Sequence, residues 1–227
     1  MTIGILTAMS VEYQQVVRML TETEEKDFGP IHYTTGKLGN NNIVLQQCGI
    51  GKVNAAMGVT DLILHFQPHC IISTGVAGGI DTRLRVMDVV AGSAVCHHDV
   101  WCGEGCDPGQ VQGLPTHFTG DAEMLQKATS IQSDVRILEG LICTGDQFIT
   151  AKEELQKIKS AHPEGLAVDM ESAAIAQVCH LHQIPFLSFR IISDTPGVEN
   201  HFEQYLDFWG TMADKSFNVT KRFLESL

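Results

Sequence analysis

The chain has 227 residues, 44% hydrophobic and 19% charged, and a formal net charge of -12. A chain of that length and balance can bury a core of its own, and with no linker in view residues 1–227 are expected to form one domain. The acidic surplus argues against nucleic acid or an anionic membrane surface as a partner, and leaves a buried small-molecule site open.

The chain starts MTIGILTAMSVEY, with no basic segment and no long apolar run, so it does not read as a signal peptide. No apolar stretch reaches the ~20 residues of a membrane span. Thr2–Ala8 reads as a continuous apolar strand, and Val11 to about Leu20 as a helix. Ile31–Lys37 and Asn42–Gln47 read as a hairpin turning at GNN. Val53–Phe66 repeats its apolar residues with a helical period, and Cys70–Thr74 is a buried strand ending in the glycines of GVAGG. Val86–Val95 and Gly140–Cys143 are further strands, with helices at Ala122–Ile131 and Lys152–Ile158. Leu166–Val168 is a short strand, Glu171–His182 a helix and Pro185–Ser193 a strand. Tyr205, Phe208, Trp209, Met212, Phe217 and Phe223 mark one long amphipathic helix against the sheet. Apolar strands alternating with helices imply an α/β fold with a largely parallel internal sheet. Seven scattered cysteines, several in strand-like runs, read as reduced thiols of a cytoplasmic protein.

In such sheets ligands sit beyond the carboxyl ends of the strands. The residues just past each strand are therefore informative: AMSVE, CGIGK, GVAGG, TGDQFIT, DMES and SDTPG in turn. Acids, glycines, a methionine and a phenylalanine converge on one edge. Taken alone, each has an ordinary reading. Glu12 is a first-turn glutamate favoured by the helix dipole. Asp169 is a helix N-cap, and Asp194 starts an Asx turn before Pro196-Gly197. CGIGK lacks the third glycine and the following acid of a dinucleotide fingerprint. CHHDVWCGEGC gathers His97, His98, Asp99, Cys102 and Cys106, yet no second ligand pair lies further on, so no metal is expected there. Two residues resist the ordinary reading. Met170 is not a cap residue, and a soft thioether suits a sugar or ring face. Arg190 lies in an apolar strand and needs an anionic partner, for which Glu12 and Glu171 are the candidates.

AMSVE, GIGKVNAA, STGVAGG, GDQFI, AVDMES and RIISD stand in the order and spacing of the bacterial 5′-methylthioadenosine/S-adenosylhomocysteine nucleosidases, of the nucleoside phosphorylase family. The resemblance covers nearly the whole chain and is weakest from about Val100 to Phe118. It implies a three-layer α/β fold, with a central mixed sheet flanked by helices. It also implies hydrolysis of the N-glycosidic bond of 5′-thioadenosines, and of 5′-deoxyadenosine, without metal or other cofactor. By resemblance, Glu12 is the base for the attacking water and Asp194 the acid that protonates adenine at N7. Met170 and Glu171 hold the ribose, Phe148 stacks on adenine and the Ile149 backbone reads its edge. Arg190 and Ser193 support these groups, and Ala77 and Gly78 lie against the substrate. Met9, Ile50 and Phe202 line the alkylthio pocket. A homodimer is implied, with a partner loop near Leu114 and Pro115 closing that pocket. Val76 departs from the pattern, since many relatives carry a hydroxyl residue there. A phosphate-dependent purine nucleoside phosphorylase and an aminofutalosine hydrolase are the alternatives within the family.

Overall fold

The computed structural model describes residues 1–195 and 200–227. The Asx turn expected ahead of Pro196-Gly197 lies outside these residues. Strand β1 (Thr2–Thr7) leads into helix α1 (Ser10–Val17), and β2 (Thr21–Phe28), β3 (Ile31–Leu38) and β4 (Asn41–Gln47) form a meander after it. Next come α2 (Lys52–Phe66), β5 (Cys70–Gly79), β6 (Val89–His97), the short β7 (Phe118–Thr119) and α3 (Ala122–Thr129). The chain continues through β8 (Ile137–Thr144), α4 (Lys152–Ala161), β9 (Gly165–Asp169), α5 (Ser172–His182) and β10 (Phe186–Asp194). It ends in α6 (His201–Asp207), a π-helical turn at Phe208–Met212 and α7 (Ala213–Ser226).

One mixed ten-stranded sheet runs through the molecule in the order β10-β6-β8-β9-β5-β1-β4-β3-β2, with β7 added beside β6. Strand β10 also pairs with β5, so β5, β9, β8, β6 and β10 close into a ring. Pairings of β1 with β4 and β5, β5 with β10, and β8 with β6 and β9 are parallel; β10–β6 and β5–β9 are antiparallel. The sheet is thus less uniformly parallel than strand–helix alternation suggests. Antiparallel neighbours here are joined across long sequence separations, which local periodicity does not record.

Two apolar layers flank the sheet. On one face Leu6, Val59, Leu62 and Ile71 pack with Ala173 and Ala176 of α5. On the other, Ile3, Ile5, Tyr13 and Val16 pack with Phe217 and Phe223 of α7. Successive β1 residues serve opposite layers, as a pleated strand requires. Gly4 is the gap through which α2 approaches: a Cβ there would meet Ile71 Cδ1 at 2.6 Å and Leu62 Cδ2 at 2.7 Å. Phe189 stacks on Phe223 at 4.7 Å, and burying a ring of this kind contributes roughly 1.5–3 kcal/mol.

One element escapes the sequence pattern and two expectations need correction. TETEEKDF is charged and exposed throughout and carries no strand pattern, yet it forms β2. It is an edge strand, where charge on the free side blocks further pairing. β5 does not stop at Thr74 but runs on through GVAGG to Gly79, pairing Gly75, Val76 and Ala77 with Arg190, Ile191 and Ile192. Its glycines serve close approach within a strand. The terminal helix is broken by the π turn, which inserts one residue and rotates the stripe. Phe208 and Phe217 face the core, whereas Tyr205 reaches a cavity at the strand ends.

Candidate active site

A cavity of about 300 Å³ opens where β1, β5, β9 and β10 end. Glu12, near the start of α1, is 1% exposed. Its Oε2 accepts the Ala8 and Met9 N–H groups, each at 3.0 Å, and its Oε1 accepts the Val76 N–H at 2.9 Å. Burial raises its pKa; Arg190 and these three N–H groups oppose the rise. The side chain is therefore fixed by backbone from two strand ends. Gly75 makes this fit possible. A Cβ at Gly75 would overlap Glu12 Oε1 and lie 2.7 Å from Glu12 Cδ and 2.8 Å from Arg190 Nη1.

Arg190 is 1% exposed and lies beneath the cavity. Its nearest carboxylate is Asp169, at 2.9 Å from Nε; Glu171 is 3.7 Å from Nη2. The expectation that Glu12 and Glu171 are the partners is thus corrected: Asp169 comes first. Asp169 also accepts the Ser172 N–H at 3.2 Å, the Thr144 hydroxyl at 2.5 Å and the Ser172 hydroxyl. The expected N-cap position belongs to Glu171 instead; Asp169, two residues earlier, still accepts the first-turn Ser172 N–H and is in addition the counter-ion of Arg190. Ser172 Oγ accepts from Nε and Nη2 at 3.2 Å, and Ser73 Oγ from Nη2 at 2.8 Å.

Glu171 accepts the Gly51 N–H at 3.0 Å. The CGIGK glycines therefore bring backbone to a carboxylate, which explains their spacing without a dinucleotide. Burial first, then Asp169 and Glu12, raise the Glu171 pKa to about 7, while Arg190 and Gly51 lower it. Between the ordinary value of 4.5 and about 7 the folded chain binds more protons than the unfolded one, so this group withdraws stability as pH rises through that window. Ligand-free Tm measured from pH 5 to 7 is expected to fall more steeply in the wild type than in Glu171→Gln. Parallel Tm profiles would contradict the shift.

Asp194 ends β10, 2% exposed, with the Ser193 hydroxyl donating to Oδ1 at 2.7 Å. Met9, Ile50, Ala77, Gly78, Phe148, Ile149, Met170 and Ser193 all lie in the cavity wall with these acids. Phe148 is 49% exposed and meets Tyr205 edge-on at 5.8 Å. Phe202 lies outside the wall, 54% exposed, its ring stacked on Tyr205. Leu114 and Pro115 are not in the wall of their own chain.

Sequence reasoning missed Tyr205 and Gln147, both of which line the cavity. The apolar stripe places Tyr205 against the sheet. Its hydroxyl instead reaches Met9 Sδ at 3.5 Å. A polar tip within a run of Phe, Trp and Met was the available signal. The CHHDVWCGEGC residues are placed apart: His97 meets Gln177 at 3.0 Å, His98 covers Gly145, and Asp99 pairs with Lys52 at 2.6 Å.

Four carboxylates, those of Glu12, Asp169, Glu171 and Asp194, line this cavity, and no lysine or arginine does so among the described residues. The fold and this site define the class: the chain belongs to the phosphorylase superfamily, whose family model matches residues 2–225. The 5′-methylthioadenosine/S-adenosylhomocysteine nucleosidase of Desulfotalea psychrophila is 38% identical over 230 residues, covering 100% of this chain and 98% of that protein. The corresponding enzyme of Pseudoalteromonas translucida is 40% identical over 233 residues, covering 100% and 98%. The crystal structure of the Neisseria meningitidis enzyme, in complex with methylthio-immucillin-A, superposes with a TM-score of 0.94 at 35% identity, covering 100% of this chain and 99% of that one. Within the superfamily, this chain's place is with the 5′-methylthioadenosine/S-adenosylhomocysteine nucleosidases.

Proposed function

We propose that the chain hydrolyses the N-glycosidic bond of 5′-methylthioadenosine and S-adenosylhomocysteine, and of 5′-deoxyadenosine, releasing adenine. The observation that carries this reading is the charge of the cavity. Breaking the bond builds an oxocarbenium-like ribosyl group. Among the described residues Arg190 is the one cation against the buried Glu12, Asp169 and Glu171, so the site holds more carboxyl groups than positive charges. A cation that forms only in the transition state is stabilised there, and such differential stabilisation lowers the barrier.

Roles are assigned from position. Glu12, held rigid and with its pKa raised by burial, takes the proton of the attacking water. Asp194 gives its proton to adenine N7, with Ser193 fixing the carboxyl. Glu171 accepts from the ribose hydroxyls, and Met170 covers the sugar. Phe148 lies on the adenine, whose edge the Ile149 backbone reads. Ala77 and Gly78 form the floor, and Arg190 orients the carboxylates from below. Met9, Ile50 and Tyr205 enclose the 5′ substituent, with Phe202 closing over Tyr205. Val76 gives its N–H to Glu12 and has no hydroxyl to offer the water.

A phosphorylase needs cations around a phosphate dianion. The cavity wall offers carboxylates instead, which favours water. The test is product analysis with and without phosphate. Equal adenine release and free thioribose in both are expected; a phosphate-dependent sugar 1-phosphate overturns the reading.

We also read the chain as one cytoplasmic domain and as half of a homodimer. One sheet takes strands from Thr2 to Asp194, the cysteines are unpaired, and no described helix is long and apolar enough to cross a membrane. Val53, Met57 and Leu64 of α2 and Leu181 of α5 are all more than half exposed, an apolar face suited to a second copy. The partner's Leu114–Pro115 loop would then close the 5′ pocket. A fully active monomer in light scattering would contradict the dimer.

A further inference from the structure

A second cluster of reactive side chains lies away from the cavity. Cys96 near the end of β6, His117 just before β7 and His162 at the end of α4 come from three separate segments. One ligand atom of each lies within 4.8 Å of the others. Cys96 is fully buried and His162 is 3% exposed, while His117 is 40% exposed at the mouth of a cleft of about 330 Å³. Glu164, 3.9 Å from His117 Nε2, lines the same cleft.

His162 Nδ1 lies 3.6 Å from Cys96 Sγ, a hydrogen-bonding distance for sulfur, so the two side chains already face each other as donor and acceptor. That separation matches a coordination edge. With Zn–S of about 2.3 Å and Zn–N of about 2.0–2.1 Å, a tetrahedral S···N edge is about 3.6 Å. A tetrahedral N···N edge is about 3.3–3.4 Å, so the third ligand has to close by up to about 1.5 Å, and His117 is the one exposed enough to move. The donors are one thiolate and two imidazoles, a set suited to a borderline divalent cation rather than magnesium or calcium.

We propose that Cys96, His117 and His162 form a site for a zinc-class divalent cation, with the fourth position open to water from the cleft. Such an ion would join β6, the segment before β7 and the end of α4. Because it binds only the assembled segments, it would stabilise the fold by mass action. The site is separate from the catalytic cavity and does not depend on the nucleosidase reading.

The test uses the full chain, stripped with chelator and titrated with Co²⁺ or Zn²⁺ alone. One metal per chain is expected, with a near-ultraviolet thiolate-to-cobalt band and a higher Tm in Zn²⁺ than in chelator. Cys96→Ser is expected to remove the band, and His117→Ala to weaken binding at least about tenfold. His117 is exposed, so its variant is expected to fold; circular dichroism and adenine release check this for both. A Cys102→Ser/Cys106→Ser double variant is expected to bind as the wild type does, since Cys102 is exposed and neither belongs to the cluster. Absence of a thiolate band in the wild type, or binding unchanged in Cys96→Ser or His117→Ala, overturns the proposal. Loss of binding in the double variant does so too.

Discussion

Asp194→Asn is expected to lower kcat for adenine release by about 10²–10⁴-fold, the usual worth of a positioned general acid. The fold should not change. Asp194 is buried at the end of β10, and Ser193 donates to its Oδ1 at 2.7 Å. The asparagine carbonyl keeps that acceptor, so local packing survives. The acidic proton is lost, because a carboxamide does not protonate a purine nitrogen. Tm is therefore expected to stay within about 2 °C, since a change under about 0.5 kcal/mol moves a domain of this size little. Binding of adenine itself should persist, separating loss of chemistry from loss of the pocket. A variant within tenfold of wild-type kcat would remove Asp194 from the mechanism.

Glu12→Gln is expected to fail differently, losing both turnover and stability. Here the isosteric change is not innocent. Both carboxylate oxygens accept backbone N–H groups: Oε1 from Val76, and Oε2 from Ala8 and Met9. Whichever way a glutamine turns, its NH₂ meets at least one N–H donor head-on. A buried donor left without an acceptor costs about 1–3 kcal/mol. At about 2–4 °C per kcal/mol, Tm should fall by several degrees, measurable by calorimetry. kcat should fall by about 10²-fold or more with loss of the base. The acidic limb of the kcat/KM profile, set by a carboxyl raised above 4.5, should also disappear. Wild-type Tm with lost turnover would mean the three N–H bonds do not hold the side chain. Wild-type turnover would mean the base lies elsewhere.

These two carboxyls are legible in the amino-acid sequence, because both come just after apolar strands and strand ends converge in an α/β sheet. Met170 is legible for a similar reason, since no local role suits a methionine there. Arg190 is legible as buried, but its partner is not. Asp169 lies 21 positions away in sequence and already has a local explanation as a cap. Local explanations mask tertiary ones when one side chain serves both. Tyr205 is hidden by the same effect, since a stripe of large apolar residues accounts for it without a cavity. The β2 edge strand escapes because it has no buried face, and periodicity reports burial alternation rather than backbone pairing.

The sequence by itself determined the alternation of strands and helices, the side of the sheet that carries chemistry and the acids placed there. Each of these rests on interactions within a few residues, or on an apolar pattern repeated along one element. Tertiary structure alone decided the closure of β5, β9, β8, β6 and β10 into a ring, the pairing of Arg190 with Asp169, and the Val76 N–H bond to Glu12. It alone brought Cys96, His117 and His162 together. Val76 lies 64 positions from Glu12, and His162 lies 66 from Cys96. Contacts across such separations depend on how strands order themselves in the sheet, and that order comes from packing of the whole chain rather than from any local propensity.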